Sequence, residues 1–407
     1  MEAKRERYTP NDVGPIPNDW SAPKLSDVST LITNGFVGTA SPHYTDSSGI
    51  PYLFGKNVRP NRIDPEGIRY ITNSFHEKQS KTKLETGDLL TVQSGHIGET
   101  AVVPSTLSGA NCHALIVTRL LKERVLPMFM SYYLNSEIGR ARMAGLEVGS
   151  TILHINTKDL KKFRVIVPPV GEQKKIAQIL STWDKAITTT ERLLANSQQQ
   201  KKALMQQLLT GKKRLLDENG VGFGGKWNNS SLKDLIKVNK GKQINRNTLS
   251  KTGEFPVING GVEPSGYTCE FNTEANTITI SEGGNSCGHI GFQTNKFWCG
   301  GHCYAVRDSK LELAFTYHLL KFNQNRIMRL RVGSGLPNIQ RKDLESLSVW
   351  FPTAPEEQQS ISNILNKAEQ ETAYLEQKLI VLNDEKKALM QQLLTGKRRV
   401  KVDEEAA

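Results

Sequence analysis

The stretch KKALMQQLLTGK at residues 201–212 returns letter for letter at residues 386–397, so the second copy begins 185 positions after the first. Identity over twelve positions at so long a period points to duplicated domains and not to a short-repeat solenoid. Each copy sits at the end of a long helical pattern, and each pattern has a non-helical body in front of it.

Working backwards from the first copy, residues 172–209 contain neither Pro nor Gly, and Gly211 supplies a stop. Within this stretch Ile176, Leu180, Trp183, Ile187, Thr190, Leu194, Ser197, Lys201, Leu204 and Leu208 alternate at spacings of four and three. That is the seam of a coiled coil, interrupted by polar Thr190, Ser197 and Lys201. The same offset yields Ile361, Leu365, Ala368, Thr372, Leu375, Leu379, Leu382, Lys386, Leu389 and Leu393. A seam that survives duplication position by position predicts two helices that pack along it. Lys201 and Lys386 mark register or orientation on this seam, or else snorkel to water.

Residues 1–19, with Pro10, Pro15 and Pro17, read as an extended arm. Residues 20–167 form a first body of short β-type runs broken by Gly, Asn and Pro, with a helical piece near 127–143. Pro168 and Pro169 introduce the first spacer helix, 168–211. Residues 212–226 are Gly-rich and charged and read as a flexible, exposed linker. The second body is 227–351, with a helical piece near 311–328. The second spacer helix is 352–396 and the tail 397–407. The bodies echo each other. Gly95-His96-Ile97-Gly98 recurs as Gly288-His289-Ile290-Gly291, and Lys158-Asp159-Leu160 recurs as Lys342-Asp343-Leu344. Most other positions differ, which implies one scaffold carrying two different recognition surfaces.

At 407 residues the chain fits two globular bodies with connecting elements. No apolar run approaches the ~20 residues of a membrane span, and the charged start has no apolar signal core, so a cytoplasmic location is expected. The formal charge of +12 suggests a polyanionic partner, nucleic acid first among them. Five cysteines without framework spacing fit reduced thiols.

A helix of ~38 residues spans ~57 Å. Antiparallel packing is expected, because a parallel pair needs a long return path. A chain so arranged has pseudo-two-fold character and separated heads, and heads spaced by whole turns of ~34–36 Å meet a duplex on one side. The predicted fold is therefore α+β, with two similar mixed bodies separated by an antiparallel coiled coil.

The order of body, helix, body, helix is joined by Gly14-Pro15-Ile16-Pro17-Asn18-Asp19-Trp20 and Gly253-Glu254-Phe255-Pro256-Val257-Ile258 at the body openings. The helix starts read PPVGEQKKI at 168–176 and PEEQQSI at 355–361. This combination resembles the specificity subunit of type I restriction–modification systems, over nearly the whole chain. The resemblance implies two target recognition domains, each reading one half of a split, asymmetric site on double-stranded DNA. It also implies helices that dock two methyltransferase subunits, with restriction/translocase subunits joining the full complex. S-adenosylmethionine, ATP and Mg would then reside on those partners, with no cofactor in this chain. Gly171 departs from the family's acidic residue at that place, which the second copy keeps as Glu356; a small change in helix start is expected.

No P-loop, adenine-methyltransferase box, S-adenosylmethionine fingerprint or zinc-protease motif occurs, so no catalytic residue is expected. Cys287, His289, Cys299, His302 and Cys303 could ligate zinc. His96 and His113 are read as the equivalents in the first body, where no cysteine accompanies His96 and Cys112 is the only thiol, so structural or DNA-facing histidines are preferred and no metal site is assigned. DNA-binding candidates in the first body are Lys56, Asn57, Arg59, Asn61, Arg62, Lys78, Gln79, Lys81, His96 and Ser150. In the second body they are Lys242, Arg246, Asn259, His289, Arg329, Arg331 and Ser334. Arg suits guanine and Asn or Gln adenine, while Lys holds phosphates. Ser150 and Ser334 lie in Gly-Ser turns whose backbone N–H groups could approach a phosphate or simply turn the chain. The alternative to a DNA reader is a coiled-coil scaffold joining two protein-binding heads, its charge merely solubilising.

Overall fold

Short runs of β-branched and apolar residues give each body a four-stranded antiparallel sheet, and the strand order is the same in both. In the first body the order is Thr100–Val102, Leu89–Val92, Leu115–Leu120, Ser29–Asn34. In the second it is Ile290–Gln293, Thr277–Ser281, Cys303–Ser309, Ile236–Lys240. The central strands Leu89–Val92 and Thr277–Ser281 are buried at every position. Threonines and isoleucines suit such a strand, covered on both faces. A smaller sheet flanks each, built on a parallel pair, Ile50–Leu53 with Asn111–Cys112 and Phe255–Ile258 with Trp298–Cys299. The second body adds a strand pair, Trp227–Ser231 with Ser348–Pro352.

The computed structural model describes residues 8–9, 13–148, 153–217, 219–333, 335 and 337–402. It comprises two compact units, residues 1–190 with 378–407 and residues 191–377. Each unit therefore holds one body and a segment of each long helix. Those helices run Val170–Leu208 and Pro355–Leu393. They start at equivalent positions, so the change expected at Gly171 does not occur. A side chain there would meet Val402 Cγ1 at 2.9 Å, which explains the glycine.

Every seam position named from the sequence is buried or half-buried. Within each unit the helix segments are antiparallel. In the second unit Ser197 Oγ hydrogen-bonds Thr372 Oγ1 at 3.0 Å and Lys201 Nζ meets Glu369 at 2.9 Å. In the first, Lys386 pairs with Asp184. The two lysine pairs are equivalents under the internal repeat, and each carboxylate also accepts a hydroxyl from its own body. Tyr132 donates to Asp184 at 2.5 Å and Tyr317 to Glu369 at 3.3 Å. Burial and the adjacent carboxylate push Tyr132 upward, so it stays a protonated donor. The seam lysines are thus ion-paired and do not snorkel. They join helix to helix and, through the tyrosine, helix to body.

Two regions differ from expectation. The helical pieces of the bodies are each broken in two. Ser136 divides Pro127–Asn135 from Glu137–Ala144 and caps the latter by accepting from Gly139 N at 3.1 Å, while Asn323 divides Leu313–Phe322 from Gln324–Met328. The residues after the first helix are not a free linker either. Arg214 donates to the buried Glu357 carboxylate, at 2.5 and 2.7 Å, and to the carbonyls of Phe223 and Gly225. The same clasp recurs in the first unit, where Arg399 engages Glu172 and Asp19 and lies over the Trp20 ring.

Candidate nucleic-acid interface

In the first body a tight ribbon, Val58–Arg59 against Arg62–Ile63, turns at Asn61, whose φ of 64° is tolerated by asparagine. The ribbon half-buries Arg59 and exposes Arg62, and neither is paired with a carboxylate among the described residues. Lys56 is exposed at the preceding turn. Asn57 is a correction to the sequence reading. Asn57 is fully buried; its Oδ1 accepts from Phe54 N at 3.0 Å, and its Nδ2 donates to the carbonyls of Asp64 and Glu66 at 3.1 and 3.0 Å. Asn61 Oδ1 accepts from Ser131 Oγ and Asn135 Nδ2 at 3.0 and 2.9 Å. The Asn57 amide is spent on holding the loop, leaving nothing for a base, whereas at Asn61 only the amide oxygen is engaged among the described residues. Lys78 and Lys81 are exposed on either side of Gln79, which is half-buried and ends the helix Asn73–Lys78. His96 is exposed, 3.9 Å from the Glu99 carboxylate.

The second body carries a polar cleft of about 730 Å³. It brings together Arg246 and Asn259 from the sequence candidates with Lys240, Gln243, Glu282 and His302. Two Gly-Gly pairs, 260–261 and 283–284, line it, and a third, 300–301, packs behind its Asn259 and Gln243. Except at Gly284, where the backbone φ is +81°, their role is close approach. A side chain at Gly283 would meet the His302 ring at 3.3 Å, and one at Gly300 would occupy the space of the Asn259 amide. Those pairs were a signal in the sequence that the candidate set did not use, and Glu282 was missed with them.

Lys242 is exposed, and its backbone carbonyl accepts from Trp298 Nε1 at 2.9 Å. Arg329 and Arg331 are exposed, the latter donating to Met328 O at 2.7 Å. His289 is half-buried; burial first, and then the Lys321 ammonium, hold its imidazole below the usual range. Ser150 and Ser334 lie outside the described residues. Cys287, Cys299 and Cys303 are buried in the core, and no three His, Cys, Asp or Glu side chains among the described residues are grouped to hold a metal.

Residues 17–196 and 224–384 match the family model described as the type I restriction modification DNA specificity domain. The chain belongs to that family. It is a type I specificity subunit with two specificity domains, one in each body. It is 26% identical over 428 residues to a putative type I restriction enzyme specificity subunit of Methanocaldococcus jannaschii, covering 98% of each chain. It is also 34% identical over 143 residues to a putative type I specificity subunit of Mycoplasma genitalium, a match spanning 34% of this chain and 37% of that one. Among solved structures, the crystal structure of a type I restriction–modification S subunit from M. genitalium aligns with a TM-score of 0.67 at 18% identity. That alignment covers 92% of this chain and 96% of the other, and it supports the fold. No described helix is long and apolar enough to cross a membrane.

Proposed function

We propose that this specificity subunit is a non-catalytic DNA reader whose two bodies each recognise one half of a bipartite, asymmetric duplex target, held apart by the paired helices. The observation that carries the reading is one strand order built twice with different side chains at its rims. A shared frame with divergent rims suits two half-sites of different sequence. Exposed Lys56 and Arg62 in the first body, and exposed Lys240 and Arg246 at the second body's cleft, supply phosphate contacts and candidate base contacts.

The helices are proposed to recruit two methyltransferase subunits, and restriction/translocase subunits in the full assembly. Support comes from the repeated twelve residues. Lys202, Ala203, Gln206 and Gln207, with their equivalents Lys387, Ala388, Gln391 and Gln392, are all exposed; Lys387 and Gln391 meet Glu137 of the first body, but burial gives no reason for the identity of the rest. A like partner at each copy does. On this reading S-adenosylmethionine, ATP and Mg belong to the partners, and the methylated adenine is flipped into their active sites.

A gel shift with the chain assembled with its methyltransferase partner tests the proposal. With about four neutralised phosphates, affinity for duplex DNA falls on the order of 100-fold between ~50 and ~200 mM salt. Affinity that is absent or flat with salt would favour the scaffold reading, in which the heads bind protein.

A further inference from the structure

We propose that His302, oriented by Glu282, is a specificity-determining residue of the second body, its Nε2 accepting a hydrogen from the exocyclic amino group of an adenine or cytosine. The inference rests on the DNA-reading function proposed above and names a contact within it.

His302 is held from three directions. Its backbone N–H donates to Asn259 Oδ1 at 3.0 Å, its carbonyl accepts from Glu282 N at 2.9 Å, and its ring Nδ1 lies 3.3 Å from Glu282 Oε2. The Glu282 side chain is only 9% exposed, and its other oxygen accepts from Lys240 Nζ at 2.7 Å. The Glu282 backbone is braced as well, its carbonyl accepting from Ile339 N at 2.9 Å. With its backbone pinned and its ring held at Nδ1, the His302 side chain is still 59% exposed and lines the cleft. Its Nε2 has no hydrogen-bond partner among the described residues.

A carboxylate on Nδ1 places the ring proton there and leaves the lone pair on Nε2. An imidazole so arranged is a hydrogen-bond acceptor aimed outward. On the major-groove edge of DNA the complementary donors are the N6 amino group of adenine and the N4 amino group of cytosine. Lys240, which also lines the cleft, keeps the carboxylate charge balanced, so that it does not meet the duplex as a bare anion.

The internal repeat supplies an independent argument. Ser281 pairs with Cys303 as Val92 pairs with Leu115, and Lys240 pairs with Tyr304 as Asn34 pairs with Ile116. By this register Lys240 and Glu282 stand where the first body has Asn34 and Gln93, and His302, like Ala114, immediately precedes the third strand, at the end of a turn that is one residue longer in the second body. The frame is common and the three side chains are all exchanged, as expected of a device that reads one half-site and not the other.

The test uses the full chain assembled with its methyltransferase subunits, methylating a DNA library randomised across the target. His302→Ala is expected to lose about tenfold of discrimination at one base position of one half-site, with the other half-site unchanged. His302→Gln retains an acceptor and recovers part of that preference. Glu282→Gln, which weakens the hold on the ring, affects the same position less than His302→Ala. If the alanine variant does not fold, the two glutamine variants are read at that position. An unchanged motif in all variants, or equal loss across both half-sites, would overturn the proposal. A wild-type assembly that methylates no bipartite sequence would instead remove the function on which it rests.

Discussion

Three heptads inserted between Ser197 and Gln198, matched by three between Glu371 and Thr372, are expected to lengthen the unread gap of the target by about nine base pairs. The two insertions face each other, because Ser197 hydrogen-bonds Thr372 across the antiparallel pair. Twenty-one residues add ~32 Å of helix at 1.5 Å per residue, close to one turn of duplex DNA at ~34–36 Å. A single heptad would add only ~10.5 Å and turn the second half-site away from its reader. Sequencing of methylated DNA from cells carrying the variant and its methyltransferase partner reads the gap directly. Unchanged half-sites with a longer gap support the helices as a spacer. The original gap in a folded, active variant would refute it.

The largest stability effect is expected from Leu365→Ala. Leu365 is fully buried, in the core cluster that also holds Ile361, Leu208 and, from the second body, Phe315 and Leu319. Removing three carbons from such a site costs about 3 kcal/mol, a transfer cost plus that of a cavity the rigid helices cannot close. For a unit of this size that lowers the melting temperature by roughly 10 °C. Leu379→Ala, at a half-buried seam position, is expected to cost about 1 kcal/mol. Calorimetry of the two variants separates the cases. Equal small shifts would mean that the core of the body does not extend onto its helix.

The helices were legible in the sequence because their signal is periodic and written twice. Thr190, Ser197 and Thr372 looked like flaws in the seam, yet all three are buried, each with its hydroxyl hydrogen-bonded. The clasps were less visible, since Arg214 and Glu357 lie 143 residues apart and Arg399 and Glu172 lie 227 apart. Both arginines follow the repeated segment at the same distance, so extending the repeat by two residues would have exposed the pairing.

The surface was harder to read. An asparagine in a basic loop suits adenine and suits a turn equally well. Only the fold reveals that the Asn57 amide has its hydrogen bonds filled from within, and that the amide oxygen of Asn61 is already taken. Glu282 carries no signal of its own in the sequence, since no motif or basic cluster includes it. Its function becomes apparent only when His302 and Lys240 arrive from other strands.

Sequencing of methylated bases in cells that carry this chain with its methyltransferase partner tests the central claim most directly. The account predicts modified adenines in a motif of two short, different blocks separated by a fixed unread gap. A single uninterrupted motif, or DNA that stays unmodified by an active assembly, would contradict it.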